Sequence, residues 1–125
     1  HFARAYETLD EASLLHDAGH RCTTINRLYY ACFYAVSGVL ISQGHTAIRH
    51  AGVMTLFDAH IVQDNLIDRA YGRFYHQLFQ ARRYSDYDLV FSPDPQQTIE
   101  WLTEARTFVD LLHSLVSPSS SDNDH

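Results

Sequence analysis

Two arginines stand side by side in the stretch QARRYSDYDL, residues 80–89, directly after the aromatic run YGRFYHQLF at residues 71–79. Arg82 falls four residues after Leu78, three after Phe79 and seven after Tyr75. It therefore continues the apolar face of its own helix, with Arg83 one step round toward solvent. A guanidinium turned toward a core needs a partner, because an unpaired buried charge costs several kcal/mol. That partner is either a carboxylate, with Asp86 four residues on as the local candidate, or an external anion. Arginine's planar fork grips phosphate bidentately, which makes a phosphate site the functional reading and an ion pair closing the helix the structural one.

A second set of polar groups lies in TINRLYYACFYAV, residues 24–36, where Asn26 and Tyr30 share a face with Arg27 beside them. Polar groups on a central helix must be satisfied, so Asn26 and Tyr30 are candidates to meet Arg82 or Asp86 across a bundle. Tyrosine hydroxyls reaching solvent are the competing account. Histidine titrates near neutrality, which makes His50 in IRHAGV a candidate proton carrier, against the commoner role of cap or surface group. His16 and His20 are four apart, but Gly19 breaks the helix between them and no glutamate follows the first, so we expect no metal. No glycine-rich phosphate loop, nucleophile elbow or zinc framework is present, and no cofactor is expected.

These residues must be positioned by helices. Apolar spacing predicts one over residues 2–17, ended by Gly19. A second runs from a cap at Thr23 or Thr24 to about Gln43, with Gly44 beyond it. Its first stripe is Ile25, Leu28, Tyr29, Cys32, Val36, Val39 and Leu40, and its second Asn26, Tyr30, Phe33 and Ser37. Two such faces imply a central helix with several neighbours. Thr46 caps a third, from Ala47 to about Val62. Asp64, Asn65 or Asp68 starts a fourth, and residues 85–95 are expected as a loop. A fifth begins at Pro95 with Asp94 as cap. Residues 1–116 thus read as one all-α bundle, and 117–125 as a disordered polar tail.

Composition narrows the function classes. The 125-residue chain carries a net charge of −6, and its nine Lys and Arg residues are all arginine. An acidic total argues against a general nucleic-acid binder with a basic face, yet leaves room for one local anion site. No run of apolar residues is long enough for a membrane span, and no secretory signal is visible. Cys22 and Cys32 are ten residues apart on one helix, about 15 Å, too far for a disulfide. A reducing, cytoplasmic setting is the simple expectation.

NRLYYACFYAV, IRHAGVMTLF and RRYSDYD, in that order on successive helices, together resemble the HEPN superfamily over residues 2–116. The first resembles the family's YYAxF helix. The second resembles its HsgvxxxF segment through His50, Gly52 and Phe57, and the third its RxxxDY segment through Arg82, Asp86 and Tyr87. The resemblance implies an up-and-down four-helix bundle with an additional short helix, often a homodimer, encoded beside a minimal nucleotidyltransferase. It also implies a choice of functions. Many members are metal-independent ribonucleases with an Arg-x4–6-His motif. Here Tyr87 stands where that histidine would be, and Arg83 where a polar residue such as Asn is usual.

The departure bears on the chemistry. Metal-free RNA cleavage needs a base, an acid and a cation for the charged phosphorane. Arg82, with Arg83, supplies the cation, but a tyrosine with a reference pKa of about 10 is a poor base. The first expectation is therefore an RNA- or nucleotide-phosphate-binding module, using Arg82, Arg83, Asn26 and Tyr30, in a toxin–antitoxin-type pair. By the same resemblance Tyr87 would be a recipient of nucleotide transfer. The alternatives are an active endoribonuclease using Arg82, Asp86 and Tyr87 with a histidine such as His50, and a purely structural dimerising bundle.

Overall fold

The structure is a computed structural model and describes residues 1–45, 50–87 and 94–116, with the side chains of residues 50, 51 and 85–87 outside the description. The elements are α1 (Phe2–Asp17), α2 (Arg21–Ser42), α3 (His50–Phe57), a single wider π-turn (Asp58–Val62), α4 (Arg69–Tyr87) and α5 (Pro95–Val116). The four long helices form the bundle and α3 is the short addition. Among the described residues there is no strand, and no helix is long and apolar enough to cross a membrane. Residues 117–125, expected as a disordered tail, and Thr46, expected as a cap, lie outside the described residues.

Helix ends follow local chemistry. Gly19 and Gly44, just past α1 and α2, take φ of 85° and 98°, a left-handed turn that a Cβ would oppose. Asp68 opens α4, accepting the Ala70 N–H at 2.8 Å. Asp94 caps α5 with Pro95 in the first turn, its carboxylate taking the Gln97 N–H at 3.3 Å. Two expectations are corrected. α2 begins at Arg21, before either threonine. Thr24 is instead buried, its hydroxyl donating to the His20 carbonyl at 2.7 Å, so it serves the helix interior rather than its cap. And α4 runs on through Ser85, Asp86 and Tyr87, the first three residues of the expected loop, of which residues 88–93 lie outside the described residues. The prolines that bar helix stand at 93 and 95, too far along to stop α4 at residue 84.

α2 is the central helix. Its stripe of Ile25, Leu28, Tyr29, Cys32, Val36, Val39 and Leu40 is wholly buried, and α1, α4 and α5 all pack on it. The core is built largely from rings. Tyr29 and Tyr75 lie nearly parallel, with centroids 5.8 Å apart, and Tyr75 stacks on Phe108 at 5.7 Å. Phe57 meets Tyr75 edge-on at 4.8 Å, and Phe74 bridges Phe108 to Trp101. Burying Tyr29 and Tyr75 is tolerable because their hydroxyls bond each other. α4 and α5 approach α2 more closely than they approach each other. The gap between them is bridged by these rings at depth and open above.

Candidate functional site

The second stripe of α2 is only half-buried at Asn26, Tyr30 and Phe33, and the last turns of α4 lie beside it. At this seam the Arg82 guanidinium sits 5.5 Å from the centroid of Tyr29 and 5.3 Å from that of Tyr30. The rings' negative faces attract the cation, which is how α4 can end in a charge on its apolar face. Arg82 remains partly exposed. Arg83, one step round, is exposed and lies 5.9 Å over Phe79.

Two more arginines repeat the pattern along α2. Arg27 lies 5.3 Å over Tyr30, so that ring is shared by Arg27 and Arg82. Arg4, from α1, lies 5.0 Å over Tyr34. Four of the nine arginines thus lie over an aromatic ring, three of them over rings of α2. Net charge could not reveal these arginine–ring contacts in an acidic chain.

The sequence-based candidates are only partly brought together. Arg82 and Tyr30 meet. Asn26 turns to its neighbour in sequence instead. Its Oδ1 accepts from Arg27 Nη2 at 2.9 Å and Nε at 3.2 Å, and Arg27 also approaches Glu11 at 3.6 Å. Asn26 thus orients Arg27. Asp86 and Tyr87 stand on the last turn of α4 and His50 on the first turn of α3, with side chains outside the described residues. Arg4 and Tyr34 carried no sequence signal, being 30 residues apart on different helices.

No proton carrier stands out beside Arg82 among the described residues. Burial, opposed in part by the Tyr75 hydrogen bond and the Arg82 charge, raises the Tyr29 hydroxyl above its ordinary 10.0; burial lifts that of Tyr75 well above it. Both are neutral and hydrogen-bonded at pH 7. His76 precedes Arg82 by six residues, about 240° round the helix, and so faces elsewhere. Its Nε2 instead meets Asp58 Oδ1 and Oδ2 at 2.9 and 3.1 Å. Among the described residues no three His, Cys, Asp or Glu side chains group as metal ligands.

An all-α bundle with a central aromatic helix and arginines at the close of its fourth helix defines a small helical module with a basic, ring-lined seam. The HEPN domain family model matches residues 1–115, and the chain belongs to the HEPN family. It is 32% identical over 113 residues to the UPF0332 protein of Thermotoga maritima, covering 90% of this chain and 86% of that one. A protein of Methanocaldococcus jannaschii named "Putative toxin MJ0605" is 28% identical over 106 residues, 85% of this chain and 78% of its own. A second protein of that organism with a toxin name is 21% identical over 106 residues, 85% of this chain and 72% of its own.

Proposed function

We propose that this protein is a toxin-type HEPN module that binds RNA or nucleotide phosphate at the Arg82–Arg83 end of α4, with Tyr30 and Asn26 ordering the site. It would act in the cytoplasm as a homodimer, in a two-component pair with a minimal nucleotidyltransferase, and Tyr87 is the acceptor such a partner would modify. The observation that carries this reading is the placement of Arg82 over Tyr29 and Tyr30, half-buried at the α2–α4 seam. A guanidinium carries its N–H donors in its own plane, the geometry that grips a phosphate bidentately. The toxin names of two relatives support the class.

An active ribonuclease is the weaker reading, because His76 faces away from Arg82 and is engaged by Asp58. A purely structural role fits poorly with an exposed Arg83 beside a half-exposed Arg82. The test is binding of the purified chain to single-stranded RNA at several salt concentrations, in chelator. The Arg82→Ala, Arg83→Ala double variant should bind at least about tenfold more weakly. Its log–log salt slope should be shallower by about 0.7 for each phosphate no longer neutralised. An unchanged affinity and slope would refute the site. RNA cleavage in chelator that vanishes on Arg82→Ala would move the protein to the enzyme reading.

A further inference from the structure

Two histidines from different elements meet beyond the C-terminal end of α2. His45 follows Gly44, and His60 stands on the π-turn Asp58–Val62. Their ring centres are 4.7 Å apart, with the planes inclined at 43°. Fifteen residues separate the two in sequence, so no helical spacing signals the pair. Both are half-buried. Their backbones are held in place. The His45 N–H donates to the Leu40 carbonyl at 3.0 Å, in the turn where Gly44 takes φ of 98°. The His60 carbonyl accepts from Gln43 Nε2 at 3.3 Å, which ties the π-turn to the end of α2. The rings themselves are uncommitted. His76 is engaged by Asp58, but among the described residues neither His45 nor His60 makes a side-chain hydrogen bond or an ion pair.

An imidazole with a nitrogen lone pair to give is a ligand for a first-row transition-metal ion. Metal–nitrogen bonds of about 2.0–2.1 Å place two ring centres about 4.5 Å apart when the ligands meet at a right angle, and about 5.2 Å apart in a tetrahedron. The observed 4.7 Å lies between these values. The position also favours a cation. α2 is 22 residues long, has no basic residue in its last turn, and presents the negative end of its dipole here. The chain as a whole carries a net charge of −6. Among the described residues no third His, Cys, Asp or Glu joins the pair, so water would complete the coordination. The place is remote from the Arg82 seam. Ser42, where α2 ends, lies twelve residues past Tyr30, about 18 Å along the helix.

We propose that His45 and His60 form a two-imidazole site for a divalent transition-metal ion of the zinc or nickel type. The ion would pin the end of α2 to the turn between α3 and α4, closing the segment between them. The test is calorimetry on the full chain with zinc, nickel and magnesium chlorides in turn, in a buffer that does not chelate. Zinc and nickel should each bind saturably at one ion per chain, and magnesium should not bind there. Saturating zinc should raise the melting temperature by several degrees. His45→Gln and His60→Gln should each weaken binding about tenfold or more, while His1→Ala and His16→Ala leave it unchanged. In chelator both glutamine variants should melt as the unaltered chain does, which separates loss of a ligand from loss of the fold. A second measurement needs no variant: zinc should shift the imidazole NMR resonances of His45 and His60 and leave those of His16 and His113 in place. The proposal fails if neither ion binds saturably, which would leave a ring contact only. It fails equally if binding survives both glutamine substitutions, or if zinc moves other histidines and not these two.

Discussion

Arg82 and Arg83 are adjacent in sequence yet should differ in what they contribute to stability. Arg82 faces two rings, at 5.5 and 5.3 Å, from a half-buried position. Arg83 faces one, at 5.9 Å, in the open. A cation over a ring contributes about 0.5–1 kcal/mol when exposed and about 2 kcal/mol when desolvated. Two half-shielded contacts give about 1–2 kcal/mol for Arg82, to which the packing of its aliphatic stem adds. One exposed contact, at 5.9 Å and so near the limit for such contacts, gives Arg83 about 0.5 kcal/mol. In urea unfolding followed by circular dichroism, Arg82→Ala should lower the midpoint with the slope unchanged, a loss of about 1–2 kcal/mol. The melting temperature should fall roughly 3–5 °C for each kcal/mol in a chain of this size. A double-mutant cycle with Tyr30→Leu isolates the stacking, with a coupling of about 0.5–1 kcal/mol. If Arg83→Ala proves as costly as Arg82→Ala, or the cycle shows no coupling, the ring seat is not what holds Arg82 at the seam.

Two further outcomes follow from the packing and from one surface bond. Phe108 is fully buried with Phe57, Phe74 and Tyr75 around it, so Phe108→Ala should cost about 3–5 kcal/mol in the same urea assay. The Tyr6 hydroxyl is pushed up to about 12 from 10.0 by burial and by its bond to Asp110 at 2.5 Å, a contact that ties α1 to α5. The folded form thus holds that proton more tightly than the unfolded chain. The resulting stability is fully present below pH 10 and is lost as pH rises toward 12. Tyr6→Phe should cost about 1 kcal/mol at pH 7 and flatten the decline between pH 10 and 12, and an unaltered alkaline profile would refute the assignment.

How far the sequence reveals the molecule depends on the range of the interactions concerned. α1 is legible to its end residues, because a 3.6-residue stripe and a glycine stop are local signals. The start of α5 is legible for the same reason, with Asp94 and Pro95 adjacent. The first residues of α2 mislead because Thr24 satisfies its hydroxyl inside the helix, a use that competes with capping. The inward-facing position of Arg82 is readable from its spacing to Leu78 and Phe79. Its neighbours are only half legible. Tyr30 is found by its face on α2, whereas the pairing of Arg4 with Tyr34 depends on how α1 crosses α2, which no spacing encodes. The α4–α5 cleft is invisible for a similar reason. Its residues come from α2, α4 and the cap and first turns of α5, and only the angle between helices brings them together.

The structural and phosphate readings of Arg82 are compatible physically. An unseated arginine loses about 2 kcal/mol of rotamer freedom when it is fixed on a ligand. An arginine already seated on Tyr29 and Tyr30 has lost much of that freedom in the folded protein, so an anion that meets its edge need not order it again. The rings that let a charge stand on the apolar face of α4 are then the same rings that prepare it to bind. On this account the aromatic residues of α2 stabilise the bundle and set the affinity of its site together. Arg83, on one ring and in solvent, contributes charge without that preparation. The two neighbours should consequently differ in character as ligands: Arg82 fixing where a phosphate sits, Arg83 adding a salt-sensitive attraction that steers it there.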